Sequence, residues 1–351
     1  MYNPVASKPI TLDKDITMRY FPHIIALLFA GIATSPAAFA CNATLSPGAD
    51  IQTALNGVAT TVCLNPGTYR PTNTLYVPAG KTLKGLGANR DQVVIESAAG
   101  SGSVMIWPFA GTTLHNFTLI SAPNRLPTYG VFVNAPDIVL WSLHVKKALI
   151  NVALISAARP QVLDTYLSQP GDPNDRAANP NLWISESTDV TVWYGALFGG
   201  GGFGTDPNGA LTGDGELSVY GSDRVTITGT NFFDSGTSAV YFRDCDSCII
   251  RQTAIYNARG FGLDLVDAIN NPLDGNDNLV VEYNTVNYSG YGGAIIKLTG
   301  GNQVRFTGNS FSQNNTTGNS ACSGINILGT QGTLTLQSNT VSPGPISCIA
   351  R

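Results

Sequence analysis

The sequence predicts an all-β chain wound as a solenoid, and three observations carry that prediction. A short unit recurs from about Val131 to the C-terminus: an apolar–x–apolar triplet, a polar turn, a second such triplet, then Thr or Asn before another apolar residue. Repeats of about 20–50 residues without helical periodicity signal a stacked array of short strands. The five late first triplets are Leu217-Ser218-Val219, Val240-Tyr241-Phe242, Leu263-Asp264-Leu265, Ile296-Lys297-Leu298 and Ile325-Asn326-Ile327. The matching second triplets are Val225-Thr226-Ile227, Ile249-Ile250-Arg251, Leu279-Val280-Val281, Val304-Arg305-Phe306 and Leu334-Thr335-Leu336. The second observation is a polar residue just beyond each second triplet: Thr230, Thr253, Asn284, Asn309 and Asn339, side chains able to hydrogen-bond along a stack. The third is composition. Of 351 residues, 38 are Gly and 20 are Pro, 43% are hydrophobic and only 12% charged, a turn-rich mixture unlike that of long helices.

The net charge of −4 and the absence of a basic stripe argue against nucleic acid as a partner. Lys146-Lys147, the one basic doublet, reads as a solvated strand edge. The N-terminus reads as an export signal. Arg19 precedes the apolar run Ile24–Ile32, and Ala38-Phe39-Ala40 supplies a small-x-small cleavage site. The run is too short to span a bilayer, so no transmembrane segment is expected. Cleavage after Ala40 leaves Cys41 first and a mature charge of −5, with Met18 as an alternative start. A lipoprotein is the alternative for an N-terminal Cys41, although Ala38 is not the large aliphatic residue such a signal carries. The expected location is secreted or periplasmic, and residues 41–351 form one domain.

All six cysteines lie in the exported part, as expected in an oxidising compartment. Their spacing suggests the pairs Cys41–Cys63, Cys245–Cys248 and Cys322–Cys348. Cys245-Asp-Ser-Cys248 also fits a redox pair or half a zinc site. It lacks the βαβ setting of the first and the partner thiols of the second, which favours a structural bridge across a turn.

Along the chain, Asp50–Leu55 is a helix candidate able to cover the open end of a solenoid. Strand material continues at Thr61–Leu64, Thr74–Val77, Thr82–Gly85 and Val93–Ile95, weaker coils occupy 104–155, and clear coils resume at Val162-Leu163. The period breaks at Ser168–Asn181, Gly199–Gly215 and Asp267–Asn278. Solenoid insertions of this kind often gather on a binding face.

The opening Ile51-Gln-Thr-Ala-Leu55, Val62-Cys-Leu-Asn-Pro-Gly-Thr-Tyr69, Lys81-Thr-Leu-Lys-Gly-Leu-Gly87 and Val94-Ile95 resembles the first coils of the pectin-lyase-like superfamily. The coils from Val131 onward resemble its repeats. The resemblance covers most of residues 45–345. It implies a single-stranded right-handed parallel β-helix of about ten coils, with a short N-terminal capping helix. It speaks less to chemistry, since this fold hosts lyases, hydrolases, epimerases, phage spikes and adhesins.

In such a helix the outer residues of each triplet point inward, the middle one points out, and coils stack at about 4.8 Å. Ser218, Tyr241, Asp264, Lys297 and Asn326 then form an outward column, flanked by Glu216 and Arg243. A patch of Tyr, Arg, Asp and Lys suits an extended polysaccharide rich in uronic acid. For a lyase, Arg243 or calcium neutralises the substrate carboxylate, Lys297 or Tyr241 moves the proton, and Asp264 orients or binds metal. Asp267 and Asp274 are oxygen ligands of the kind calcium takes, although Asp267–Asn278 does not match an EF-hand loop. For a hydrolase, Glu216 and Asp264, two coils apart at roughly 10 Å, are the paired carboxylates. Glu216 and Trp183 are expected to touch substrate.

The stretch Ile296–Asn309 is similar to the Lys-bearing coil of chondroitinase-B-like and alginate lyases, but the next coil, Gly324–Gly329, lacks their Arg and His. The Arg-x-Pro-x-x-Arg of pectate lyases is absent, as are the Asn-Thr-Asp, paired Asp-Asp and Gly-His-Gly of polygalacturonase-like hydrolases. A second functional class is a non-catalytic, adhesive surface in which Trp183, Phe203, Tyr220 and Tyr241 stack sugar rings. His144, in strand register, is expected to be structural.

Overall fold

A computed structural model of the chain describes residues 40–100, 103–170, 179–200, 204–205, 211–212, 215–265, 277–297, 303–318, 322–328 and 332–349. Residues Cys41–Arg351 form one compact unit. Among the described residues, strands of mostly three to seven residues are laid in three parallel sheets of twelve, eleven and eleven strands, here sheets I, II and III. One coil shows the winding. Leu217–Asp223 lies in sheet II, Thr226–Thr228 in sheet I and Asn231–Phe233 in sheet III, and Val240–Asp246 re-enters sheet II beside Leu217–Asp223.

Alternation of apolar and outward residues makes each short segment a strand with one buried face. The buried residues join into a single core running the length of the coils, from Ile51 and Leu55 to Phe311 and Ile325. The turn from sheet I to sheet III is made by one residue in the left-handed region, among them Tyr194 (φ 49°), Gly229 (φ 64°), Gln252 (φ 52°), Tyr283 (φ 57°) and Gly308 (φ 65°). Glycine takes this φ freely. At 229 it also makes room, because a Cβ there would lie 3.1 Å from the Tyr194 ring of the preceding coil.

The residue after each of the last four of these positions, Thr230, Thr253, Asn284 and Asn309, belongs to the ladder read from the sequence. Asn284 Nδ2 donates to Asn309 Oδ1 at 2.9 Å, and Asn309 Nδ2 to Asn339 Oδ1 at 2.9 Å. Each amide also accepts from a backbone N–H one coil earlier: Thr253 N donates to Asn284 Oδ1 and Asn284 N to Asn309 Oδ1. The ladder thus satisfies buried backbone groups that the turn would otherwise orphan.

All three cysteine pairs are bridged as their spacing suggests: Cys41–Cys63, Cys245–Cys248 and Cys322–Cys348. The helix candidate is a helix at Ile51–Asn56, N-capped by Asp50, with Ile51 and Leu55 in the core. Its Gln52 side chain exchanges hydrogen bonds with both backbone groups of Tyr76 in the first strand of sheet II.

Two triplets sit differently from their sequence reading. Ile227 aligns with Ile250, so the inward pair of that coil is Cys248 and Ile250, and Ile249 points out. Asp264 aligns with Ile295 and Leu265 with Ile296, so the triplet of that coil is Ala294-Ile295-Ile296 rather than Ile296-Lys297-Leu298. Three apolar residues in a row hide the phase of a period-two pattern, and here only pairing with the neighbouring coils decides it.

Candidate functional site

The outer face of sheet II carries the residues singled out above. Register runs Trp183, Ser218, Tyr241, Asp264, Ile295, Asn326 on successive coils. Tyr241 and Asp264 are therefore direct neighbours. Ser238 Oγ donates to Asp264 Oδ2 at 3.3 Å. Arg243, two residues beyond Tyr241, is exposed and lies opposite Tyr220, whose ring centroid is 5.6 Å from that of Tyr241. Gly215 approaches from below. A Cβ there would stand 2.9 Å from both the Tyr241 backbone N and its Cβ, so the turn into this coil needs glycine. Tyr220, Tyr241, Arg243 and Asp264 form one patch on two neighbouring strands and the next.

Several expected members stand elsewhere. Lys297 aligns with Leu328, two positions past Ile295, which puts its backbone in the Arg243 line and not the Asp264 column. Ser218 and Asn326 are buried. Ser218 Oγ donates to Gly215 O at 3.1 Å, and Asn326 Nδ2 donates to Cys322 O at 3.0 Å, so both brace turns. Trp183, by contrast, keeps its expected place in the register column and is half-buried, as Tyr241 and Asp264 are. Asp267, Asp274 and Phe203 lie outside the described residues. Among the described residues no group of three or more His, Cys, Asp or Glu is placed to hold a metal ion.

Glu216 is the largest departure from the sequence reading. It is fully buried, not presented to a ligand. It continues a second ladder in the turn from sheet III to sheet II. Asn151 Nδ2 donates to Asn181 Oδ1 at 2.6 Å, and Asn181 Nδ2 donates to Glu216 Oε1 at 3.0 Å. Gly200 N donates to the same oxygen at 3.3 Å, and Ser235 Oγ donates to Oε2 at 2.5 Å. Burial pushes its carboxyl up to about 8 against these hydrogen bonds, so at neutral pH it stands protonated, as a neutral substitute for asparagine. With its side chain fully buried in this turn, Glu216 does not stand on the outward face that carries Asp264.

The earlier coils of the same face hold an aromatic cluster, with Trp107, Phe109 and Phe132 in the stretch whose sequence pattern is weakest. Tyr76 and Trp107 are paired across strands, with centroids 6.1 Å apart. Phe109 lies nearly parallel to Trp107 (13°, 6.4 Å), and Phe132 meets Trp107 edge-on at 5.0 Å. Tyr76 is 46% and Phe109 41% exposed. Trp107 Nε1 donates to Asn134 Oδ1 at 3.0 Å. Beside the cluster, Thr72, Asn73, Thr74, Tyr76, Gly100 and Ser103 line a depression of about 240 Å³. Sequence reasoning missed this cluster although its signal is legible, since Tyr76 and Trp107 are the outward middle residues of Leu75-Tyr76-Val77 and Ile106-Trp107-Pro108.

Residues 208–341 match the family described as the right handed beta helix region. No curated protein matches the chain by sequence. Solved structures that share the winding include the surface protein and adhesin PfbA of Streptococcus pneumoniae. That likeness has TM-score 0.60 and 11% identity, and covers 85% of this chain and 97% of that one. An alginate lyase from Paenibacillus sp. shares it with TM-score 0.52 and 13% identity, covering 87% and 96%. The Dettilon tailspike protein has TM-score 0.57 and 15% identity; the match covers 80% of this chain but only 56% of the tailspike. These likenesses establish a right-handed parallel β-helix and nothing finer.

Proposed function

We propose that the protein is exported and acts on an extended, uronic-acid-containing polysaccharide through the outer face of sheet II, cleaving it by β-elimination. The observation that carries this reading is the patch in which Tyr241 and Asp264 are register neighbours and exposed Arg243 stands two residues from Tyr241. In it, Arg243 pairs with the substrate carboxylate and so acidifies the adjacent C–H. Tyr241, acting as the phenolate, takes that proton and, now neutral, gives it to the leaving glycosidic oxygen, while Asp264 orients the reacting sugar. Lys297, in the Arg243 line, is the alternative base. Calcium on Asp267 and Asp274 is the alternative charge neutraliser. The three disulfides support an oxidising compartment, with residues 1–40 removed as the signal peptide.

The aromatic cluster supports a second reading, a glycan-binding surface with no bond cut. Exposed Tyr76 and Phe109 offer ring faces to the C–H face of a pyranose, and Asn134 and Asn73 lie at the rim.

Purified mature protein, offered a panel of acidic polysaccharides with and without calcium, decides between them. Rising ultraviolet absorbance from unsaturated uronate ends is the expected result. New reducing ends without that absorbance would move the assignment to hydrolysis. Binding with no new ends, lost on Trp107→Ala, would establish the adhesive reading instead.

A further inference from the structure

Sheet III carries a constellation that the sheet II reading does not use. His144, outward on its strand, has Nε2 2.9 Å from Ser168 Oγ on the next coil. Its Nδ1 faces Asp91 Oδ1 at 3.5 Å, from the short 3-10 turn Arg90–Gln92. The carboxylate on Nδ1 selects the tautomer with the proton there, which leaves the Nε2 lone pair to accept from the Ser168 hydroxyl.

Hydrogen bonds around the three groups brace their surroundings. Thr118 Oγ1 donates to Asp91 Oδ1 at 2.9 Å, and Asp91 N donates to Asn89 Oδ1 at 3.0 Å. Arg90 pins the turn to the coils that bear His144 and Ser168. Its guanidinium donates to Leu143 O at 2.9 Å and Asp164 Oδ2 at 2.7 Å, and lies 4.2 Å from the Tyr166 ring centroid. Asn151 Nδ2 donates to Ser168 O at 3.0 Å and fixes the far end of that strand. Lys146 is the direct register partner of Ser168.

We infer that Ser168, His144 and Asp91 form a nucleophilic serine site that hydrolyses carboxylic esters, with Lys146 beside Ser168 as the cation for the developing oxyanion. Ser168 Oγ bonds to the acyl carbon as its proton passes to His144 Nε2. The tetrahedral oxyanion collapses, and the alcohol leaves with the proton from Nε2. Water, deprotonated by the same nitrogen, then attacks the acyl-enzyme, releases the carboxylic acid and restores Ser168. Burial, and Lys146 next, lower the His144 ring below the ordinary histidine value against the raising influence of Asp91, which keeps it a neutral base at neutral pH. Burial works to raise the Asp91 carboxyl, but hydrogen bonds from Thr118 and His144, with the charges of His144 and Lys146, bring it below the ordinary value, so it stays ionised.

The site lies on the outer face of sheet III beside Tyr166, which is 41% exposed and set edge-on to His144. That setting suits a small acyl group esterified to a hydroxyl of a long chain. The identity of the chain rests on the polysaccharide reading, whereas the ester chemistry does not.

The test uses the mature protein, a fluorophosphonate probe and 4-nitrophenyl acetate. The expected result is a phosphonyl adduct on Ser168 located by peptide mass, absent from Ser168→Ala. Ester hydrolysis should fall about 100-fold or more in that variant at unchanged circular dichroism. His144→Gln should also abolish the adduct, which a merely structural Ser–His hydrogen bond would never form. No adduct on Ser168 in the wild type, or hydrolysis unchanged by Ser168→Ala, overturns the proposal. Neither result depends on polysaccharide cleavage at sheet II, so failure of that reading shows separately. Should His144→Gln fail to fold, the smaller Ser168→Ala change still decides.

Discussion

The outer face of sheet II is aromatic and uncharged at Tyr76, Trp107, Phe109 and Phe132, but polar and charged at Tyr220, Tyr241, Arg243 and Asp264. Both regions stand on the same sheet, in the same register, over the same kind of apolar core. The scaffold supplies positions about 4.8 Å apart across coils and leaves the chemistry to whichever residue occupies the outward slot. One region presents ring faces and no charge, while the other presents a guanidinium and a carboxylate.

The comparison breaks hardest on turnover. If the charged region is catalytic, Arg243→Ala or Tyr241→Phe should lower formation of unsaturated ends by about 100-fold or more with folding intact, while Trp107→Ala leaves kcat unchanged. An equal loss of kcat in the Trp107 variant would erase the distinction between the regions.

Glu216, buried beneath the charged end, gives the next largest effect. Its carboxyl rises from 4.5 to about 8 on folding through burial. Between those values the folded state holds a proton that the unfolded chain has released. Its contribution is therefore complete below about pH 4.5 and is lost as pH climbs toward 8. Glu216→Gln, which keeps the ladder neutral, should gain on the wild type by roughly 1.4 kcal/mol per pH unit across that window, as read by urea denaturation. Parallel pH profiles of the two proteins would mean that Glu216 is ionised in the fold.

Affinity sharpens the contrast more gently. Trp107→Ala should weaken polysaccharide binding by roughly fivefold, about 1 kcal/mol of ring contact, with little dependence on salt. Binding lost through Arg243→Ala should instead shrink as ionic strength rises. Isothermal titration at two salt concentrations separates them. Smallest of all is the ion ladder along the turn from sheet II to sheet I, where Arg224 Nε meets Asp189 Oδ1 at 2.6 Å and Arg159 Nε meets Asp137 Oδ1 at 2.7 Å. These groups are solvent-exposed, so Arg224→Ala should leave Tm unchanged within error in a thermal melt.

Some of this is legible in the residues and some is not. The ladder of Asn284, Asn309 and Asn339 can be read because each comes after its triplet at constant spacing, and a stack converts equal spacing into contact. Lys297 is misplaced by the sequence pattern because Ala294-Ile295-Ile296 offers two phases of the same alternation, and only pairing with Leu263–Leu265 chooses one. Glu216 looks like a surface acid because a charged residue two positions before an outward serine shares its strand face. The coil turns inward there, and Asn181 and Ser235 close over it.

By itself the sequence determined the solenoid, its three disulfides and the apolar spine, because these depend on local alternation and on spacing that repeats from coil to coil. Tertiary structure alone decided which outward residues meet. Asp91 and His144 are 53 residues apart, and Arg90 and Asp164 are 74 apart. Insertions of unequal length separate such partners along the chain, and only the stacking of coils brings them within reach of a hydrogen bond.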